Sequence, residues 1–211
     1  MNYIFGLIAI LLAYLVGSFP SALVIGKLFY NGIDIREHGS GNLGGSNALR
    51  VLGKRGGLVV YILDILKGGV AVLIAVHLQS AIAPLIVALF ALIGHIYPIF
   101  AGFKGGKAVA TSAGVVLFYA PISFLILAVI FFGSLSIWKM ISVSSVASSV
   151  TMFLLTVINP LNNDNLNGPV PFVVFGLFMV LIVVKHMPNY KRIANGTEPK
   201  ITDKFEKPAK N

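Results

Sequence analysis

Cysteine is absent from the 211 residues, which excludes disulfides, thiolate nucleophiles and cysteine-ligated metals. Acidic side chains are scarce, seven Asp and Glu against 16 Lys and Arg, and the four histidines lack the His-Glu-x-x-His spacing of a zinc site. Neither a metal nor another cofactor is expected. Also missing are the basic region and small-residue cleavage site of a signal peptide, so the first apolar run, which continues past Gly17 towards Phe29, reads as a retained span. No internal repeat of roughly 20 to 50 residues is visible, and no matched pair of interrupted helices recurs in the two halves.

Charge of either sign is sparse, at 11% of residues, whereas 57% are apolar. No soluble domain of this length needs so much apolar material for its core, so the chain reads as an all-α integral membrane protein. The runs predict about seven transmembrane helices, over Tyr3–Phe29, Gly57–Leu78, Ala81–Pro98, Ala108–Tyr119, Pro121–Ile137, Val143–Ile158 and Val170–Val184. The fourth is short for a hydrocarbon core of ~30 Å, which leaves a partial helix and a five-span arrangement open. Pro20, flanked by Gly17 and Gly26, predicts a kink in the first. Residues 1–188 would form a single polytopic membrane domain, and residues 189–211 a cytoplasmic tail beginning inside the last polar motif.

The net charge of +9 is spread over short loops and the tail, not over one soluble basic face, so nucleic acid is not an expected partner. Orientation explains the charge better, because cytoplasmic loops favour Lys and Arg. Arg36, Arg50, Lys54 and Arg55 lie in the first loop, Lys104 and Lys107 in the third, Lys139 in the fifth, and Lys191, Arg192, Lys200, Lys204, Lys207 and Lys210 in the tail. The alternate connections, around Gln79, Pro121 and Asn159 to Gly168, carry no Lys or Arg. The N-terminus is therefore expected outside and the C-terminus in the cytoplasm, with three polar motifs on the cytoplasmic side.

The first motif, Ser40-Gly41-Asn42-Leu43-Gly44-Gly45-Ser46-Asn47, is too rich in Gly, Ser and Asn for regular structure to persist. Ser40, Asn42 and Asn47 offer hydrogen bonds there, and Arg50 a bidentate partner for phosphate or carboxylate. The plainer alternative is a flexible loop with an incidental arginine. In the second, Gly102, Gly105 and Gly106 surround Lys104 and Lys107. If Ala108 starts a helix, Lys107 and the N–H groups of Val109 to Thr111 sit near its positive end, where anions bind. Ala108 after Lys107 rules out a Walker A loop, and two snorkelling lysines are the bland alternative. The third motif gathers His186, Asn189, Arg192, Thr197 and Glu198. His95 and His186 each stand near the end of an apolar run, as catalysts or as helix-packing hydrogen bonders. Asp64 and Lys67, three apart on one helix face, read first as a structural ion pair. Ser142, Ser145 and Ser149 follow helical spacing; the last two suit close helix packing, whereas Ser142 can reach a ligand.

Together these segments resemble the bacterial acyl-phosphate:glycerol-3-phosphate acyltransferase family over almost the whole chain. The resemblance rests on Ser40-Gly41-Asn42-x-Gly44-x-x-Asn47 with Arg50, on Gly94-His95-x-x-Pro98 running into Phe103-Lys104-Gly105-Gly106-Lys107-x-Val109-Ala110-Thr111, and on His186-x-x-Asn189-x-x-Arg192 with Gly196-Thr197-Glu198. Ser142 and Ser145 match a short serine pair. The resemblance implies seven helices in a bacterial cytoplasmic membrane and a site facing the cytoplasm. Acyl phosphate is the implied donor and glycerol 3-phosphate the acceptor, with 1-acylglycerol 3-phosphate and inorganic phosphate as products. Functional coupling to an enzyme that makes acyl phosphate would follow. Two phosphate-bearing substrates suit a site with Arg50, Lys104 and Lys107. Its implied substrate-binding residues are Asn42, Asn47, Arg50, His95, Lys104, Gly105, Gly106, Lys107, Thr111, Ser142, Thr197 and Glu198. Ser40, His186 and Asn189 would orient the reactants while the donor's own phosphate takes the acceptor proton; His186 or His95 as base is the alternative. An organic-phosphate or anion transporter is the rival class, but its binding groups belong near mid-membrane at a repeat interface.

Overall fold

The computed structural model describes residues 3–159 and 164–203, and among these the regular elements are all helical. The chain divides into two compact units, one ending at Val115 and one spanning Val116–Asp203. Lys204, Lys207 and Lys210 lie outside the described residues.

The first unit opens with α1 (Tyr3–Gly17) and α2 (Ser21–Phe29), the two halves of the first apolar run, bent by 42° across the break that holds Pro20. Proline has no N–H for the helix ladder and turns the preceding residue away from helical geometry, so the break falls where the sequence places a kink. After a loop come α3 (Gly45–Val51), α4 (Gly53–His77) and α5 (Pro84–Ile96), then the start of α6 (Val109–Tyr119). Helix α1 packs on α5, and both pack on α4. Small residues permit this: a Cβ on Gly17 would run into the backbone of Ala91, and one on Gly68 into the carbonyl of Thr111. Close backbone approach of this kind replaces the hydrophobic driving force that lipid removes.

Helix α3 departs from expectation, because the first motif was read as irregular through Asn47. Burial accounts for the difference. Ala48 and Leu52 sink into an apolar cluster with Ile35, Leu43 and Val60, and tertiary packing of this sort outweighs the poor helix propensity of glycine.

The second unit holds α7 (Pro121–Trp138), α8 (Ile141–Ile158), α9 (Pro169–Lys185) and α10 (Met187–Ala194), with α8 packed against both α7 and α9. Lys139 closes α7 in the left-handed region at φ 58, its N–H donating to the Leu135 carbonyl at 2.9 Å. Leu125, Val129 and Phe132 of α7 are exposed, as suits a face turned to hydrocarbon. Residues 187–194 form α10, bent by 46° from α9. The chain then returns to donate the Ile201 N–H to the Lys139 carbonyl at 2.8 Å.

Among the described residues, four helical segments are long and apolar enough to cross a membrane alone, Gly53–His77, Pro84–Ala101, Pro121–Trp138 and Ile141–Ile158, and the number rises to six if each of the two bent pairs is one span. The remaining expected span is α6. Its 11 residues rise only ~16 Å, about half the hydrocarbon thickness.

Candidate active site

In the first unit, the loop before α3 is pinned from below by one buried side chain. Asn47 accepts the Ser40 N–H at 2.8 Å and donates to the carbonyls of Ile35 at 3.2 Å and His38 at 3.1 Å. Asn42 accepts the Gly44 N–H at 2.9 Å, a local turn that leads into α3. Asp34 binds Arg36 through its backbone N–H and its guanidinium, at 2.6 Å for the shortest contact, and that bonding holds the Asp34 carboxyl at about 2. The loop is therefore built, not slack. Ser40 stands exposed on it, and Arg50 is half-buried on α3.

The second motif wraps back over the end of α5. The Gly105 N–H donates to the Ile96 carbonyl at 3.1 Å and the Gly106 N–H to the His95 carbonyl at 3.0 Å. These carbonyls belong to the last helical turn and have no partner within the helix. The two glycine N–H groups cap the helix end. Their lack of a side chain serves the same packing: a Cβ on Gly105 would strike the His95 carbonyl, and one on Gly106 the His95 ring nitrogen Nε2. Lys104 is exposed, Lys107 half-buried, and Gly102 and Phe103 turn the loop with φ of 63 and 60.

Beneath the loop lies a buried polar chain. Lys67 Nζ is 2.8 Å from Asp64 Oδ1, which also accepts the Ser21 hydroxyl at 2.8 Å. His95 Nδ1 lies 3.8 Å from the same carboxylate oxygen and 3.1 Å from the Thr111 hydroxyl. Asp64 and Lys67 are 1% and 6% exposed, so this pair lies deep in α4 and needs every contact to offset desolvation. A small pocket adjoins it, lined by Ser21, Lys67, His95, Gly105 and Gly106 together with Gly17, Phe19, Pro20, Leu43 and Pro98. First and second motifs meet there.

In the second unit, the third motif closes on a carboxylate. Glu198 accepts Asn189 Nδ2 at 2.7 Å on one oxygen and Arg192 Nε at 2.8 Å on the other. The buried Ser142 hydroxyl lies beside it. Burial alone would raise the Glu198 carboxyl, but the hydrogen bonds from Asn189 and Arg192, with the charge of Arg192, outweigh it and hold the group below its ordinary value. His186 is buried at the junction of α9 and α10, with Nδ1 2.7 Å from the Ile182 carbonyl. That contact assigns the proton to Nδ1 and makes Nε2 the basic nitrogen. Exposed Thr197 donates to the Arg192 carbonyl through both its N–H at 2.8 Å and its hydroxyl at 3.3 Å.

Ser21, Phe19 and Leu43 were not singled out from the sequence. Ser21 carried one usable signal, a hydroxyl directly after the Pro20 break; the other two carried none.

The family model described as glycerol-3-phosphate acyltransferase matches residues 7–196. A glycerol-3-phosphate acyltransferase of Bacillus cytotoxicus is 48% identical over 191 residues, covering 90% of this chain and 92% of the relative. One from Streptococcus pneumoniae strain Taiwan19F-14 is 48% identical over 196 residues, with 91% of each chain covered. Among solved structures, the glycerol 3-phosphate form of PlsY (YgiH), an integral membrane glycerol 3-phosphate acyltransferase, superposes with a TM-score of 0.83 at 34% identity, covering 92% of this chain and 94% of that one. The lysophosphatidic acid form gives a TM-score of 0.80.

Proposed function

Since the chain belongs to the glycerol-3-phosphate acyltransferase family, we propose that it transfers an acyl group from acyl phosphate to the sn-1 hydroxyl of glycerol 3-phosphate. It is an integral membrane acyltransferase of phospholipid synthesis; the donor and the position acylated are the further step. The acceptor oxygen attacks the acyl carbonyl carbon, the bond from that carbon to the phosphate oxygen breaks, and the departing phosphate carries away the hydroxyl proton. The products are 1-acylglycerol 3-phosphate and inorganic phosphate. A leaving group this good needs little acid help, and its own oxygens can take the proton.

The observation that carries the reading is the pocket of the first unit, where the first and second motifs converge on a buried ammonium. Arg50, Lys104 and Lys107 supply cations for phosphate oxygens. Ser40, exposed on a loop that Asn47 fixes, orients a reactant. In the second unit His186 and Asn189 do the same, the latter held by Glu198. We place the site on the cytoplasmic side of a bacterial cytoplasmic membrane, where both substrates and an enzyme supplying acyl phosphate would meet it; the alternation of basic loops supports this.

The test is an assay of the purified protein with radiolabelled glycerol 3-phosphate and palmitoyl phosphate in the presence of EDTA. Lysolipid and inorganic phosphate should appear in equal amounts, and palmitoyl-CoA should not replace the donor. Efficient turnover with the thioester alone, or flux of glycerol 3-phosphate into proteoliposomes without acylation, would overturn the proposal.

A further inference from the structure

A proline break removes helix hydrogen bonds and, with them, what would hold the chain to one direction. In the first unit the break at Pro20 is held instead by two side chains of α4. Lys67 Nζ donates to the Phe19 carbonyl at 3.1 Å, and Asp64 Oδ1 accepts the Ser21 hydroxyl at 2.8 Å. These contacts fall on either side of Pro20, and the ammonium and carboxylate are themselves joined at 2.8 Å. One buried ion pair therefore pins both edges of the 42° bend.

Both motifs of this unit depend on the pinned groups. Helix α2 leads from the break into the apolar cluster, where Ala22, Leu23 and Ile25 pack with Leu43 and Ala48, so its direction sets the loop of Ser40 and the helix of Arg50. On the other side, Asp64 Oδ1 lies 3.8 Å from His95 Nδ1. The His95 carbonyl accepts the Gly106 N–H, and the His95 ring packs against Gly106 closely enough to exclude a Cβ there. Lys104 and Lys107 flank that glycine pair. A buried ion pair is a poor source of net stability, since apolar side chains of similar volume commonly serve such a site as well or better. What it adds is direction: a donor aimed at one carbonyl and an acceptor aimed at one hydroxyl fix an angle that apolar packing leaves loose.

We infer that Asp64, Lys67 and Ser21 are positioning residues that set the Pro20 bend and, through it, the placing of Ser40 and Arg50 relative to Lys104 and Lys107. The inference rests on the proposed function only in taking the two motifs as parts of one site.

The experiment compares the wild type with an Asp64→Asn/Lys67→Met double variant, which removes both charges together and so leaves neither buried alone. Per folded molecule, kcat/KM should fall about tenfold or more, because misplacement by about 1 Å already carries losses of that order, while the unfolding temperature stays within a few degrees of wild type. Spin labels on cysteines placed in this cysteine-free chain at exposed Leu28 of α2 and exposed Phe100 beside the second motif should show a distance distribution that shifts or broadens in the double variant. A folded double variant with wild-type kinetics overturns the inference. So does lost activity with an unchanged distribution, which would put the pair in contact with substrate. Ser21→Thr and Ser21→Val, alike in shape and different in the hydroxyl, give a second measurement: the threonine variant should exceed the valine variant in kcat/KM by about threefold or more. Equal rates for the two overturn the inference, and this comparison decides if the double variant does not fold. Absence of turnover by the wild type with palmitoyl phosphate, against turnover with another donor, is the separate failure of the proposed function, and the same ratios are then read with that donor.

Discussion

Alanine at Gly106 adds one methyl group at the most crowded point of the second motif. The new Cβ lands on Nε2 of His95, with ring atoms Cδ2 and Cε1 each 3.0 Å away. The ring cannot swing aside without cost, because it is buried and its Nδ1 bonds Thr111 at 3.1 Å. If the loop lifts instead, the Gly105 and Gly106 N–H bonds to the Ile96 and His95 carbonyls are lost. Two backbone hydrogen bonds at ~0.5–1.5 kcal/mol each put the destabilisation at about 1–3 kcal/mol. Thermal unfolding in detergent micelles, followed by circular dichroism, should show the variant melting several degrees below the wild type. The alternative, that Gly106 serves only to let a phosphate approach, predicts wild-type stability with a raised KM for glycerol 3-phosphate. A double-mutant cycle separates the two further: once His95→Ala has removed the ring, Gly106→Ala should cost much less. Additivity of the two substitutions within about 0.5 kcal/mol would refute the packing account.

Lys107→Ala and Arg50→Ala should each lower kcat/KM by about tenfold or more, the loss of a charge-assisted contact of ~1.5–3 kcal/mol, with unfolding temperature nearly unchanged. The Glu198 carboxyl lies below its ordinary value of 4.5 in the folded protein, so its stabilising contribution is complete above that value and is lost as pH falls through the lower folded one. Wild type should therefore lose thermal stability on acidification below about pH 4.5 more steeply than Glu198→Gln, and parallel curves would count against the clamp. In this cysteine-free chain, Cys introduced at Gln79 should label from outside intact cells and Cys at Lys54 or Asn195 only from the cytoplasm; outside labelling at position 54 would reverse the orientation.

The parts of the fold that follow from local pattern were legible in the sequence. Apolar runs gave helices, Pro20 gave the bend between α1 and α2, and the shortness of the run ending at Tyr119 reappears as an 11-residue helix. Hydrogen-bond direction was not legible, because it depends on partners brought together by tertiary approach. Ser21 finds Asp64 across 43 residues of sequence, and no spacing rule joins them. For the same reason Asp64 and Lys67 read as an isolated helical pair, although His95 and Thr111 complete the cluster. Helix α10 carries Pro188 in its first turn, where proline forfeits only an N–H that has no helical partner anyway.

The motif residues separate into two kinds that composition alone could not distinguish. Asn42, Asn47, Gly105, Gly106 and Glu198 spend their polar groups inward, on backbone turns, a helix end or an ion pair. Ser40 and Lys104 stand exposed, and Arg50 is half-buried. Binding phosphate needs donors that can leave water for a ligand, so the second group is suited to touch substrate. The first group fixes loops that the lipid-facing helices cannot brace, and a loop fixed beforehand does not have to be ordered when substrate binds. Inward residues should thus resist even conservative change, with losses read as stability before activity. At Arg50 and Lys104, exchange of lysine for arginine in either direction should leave folding untouched and change only how phosphate is held.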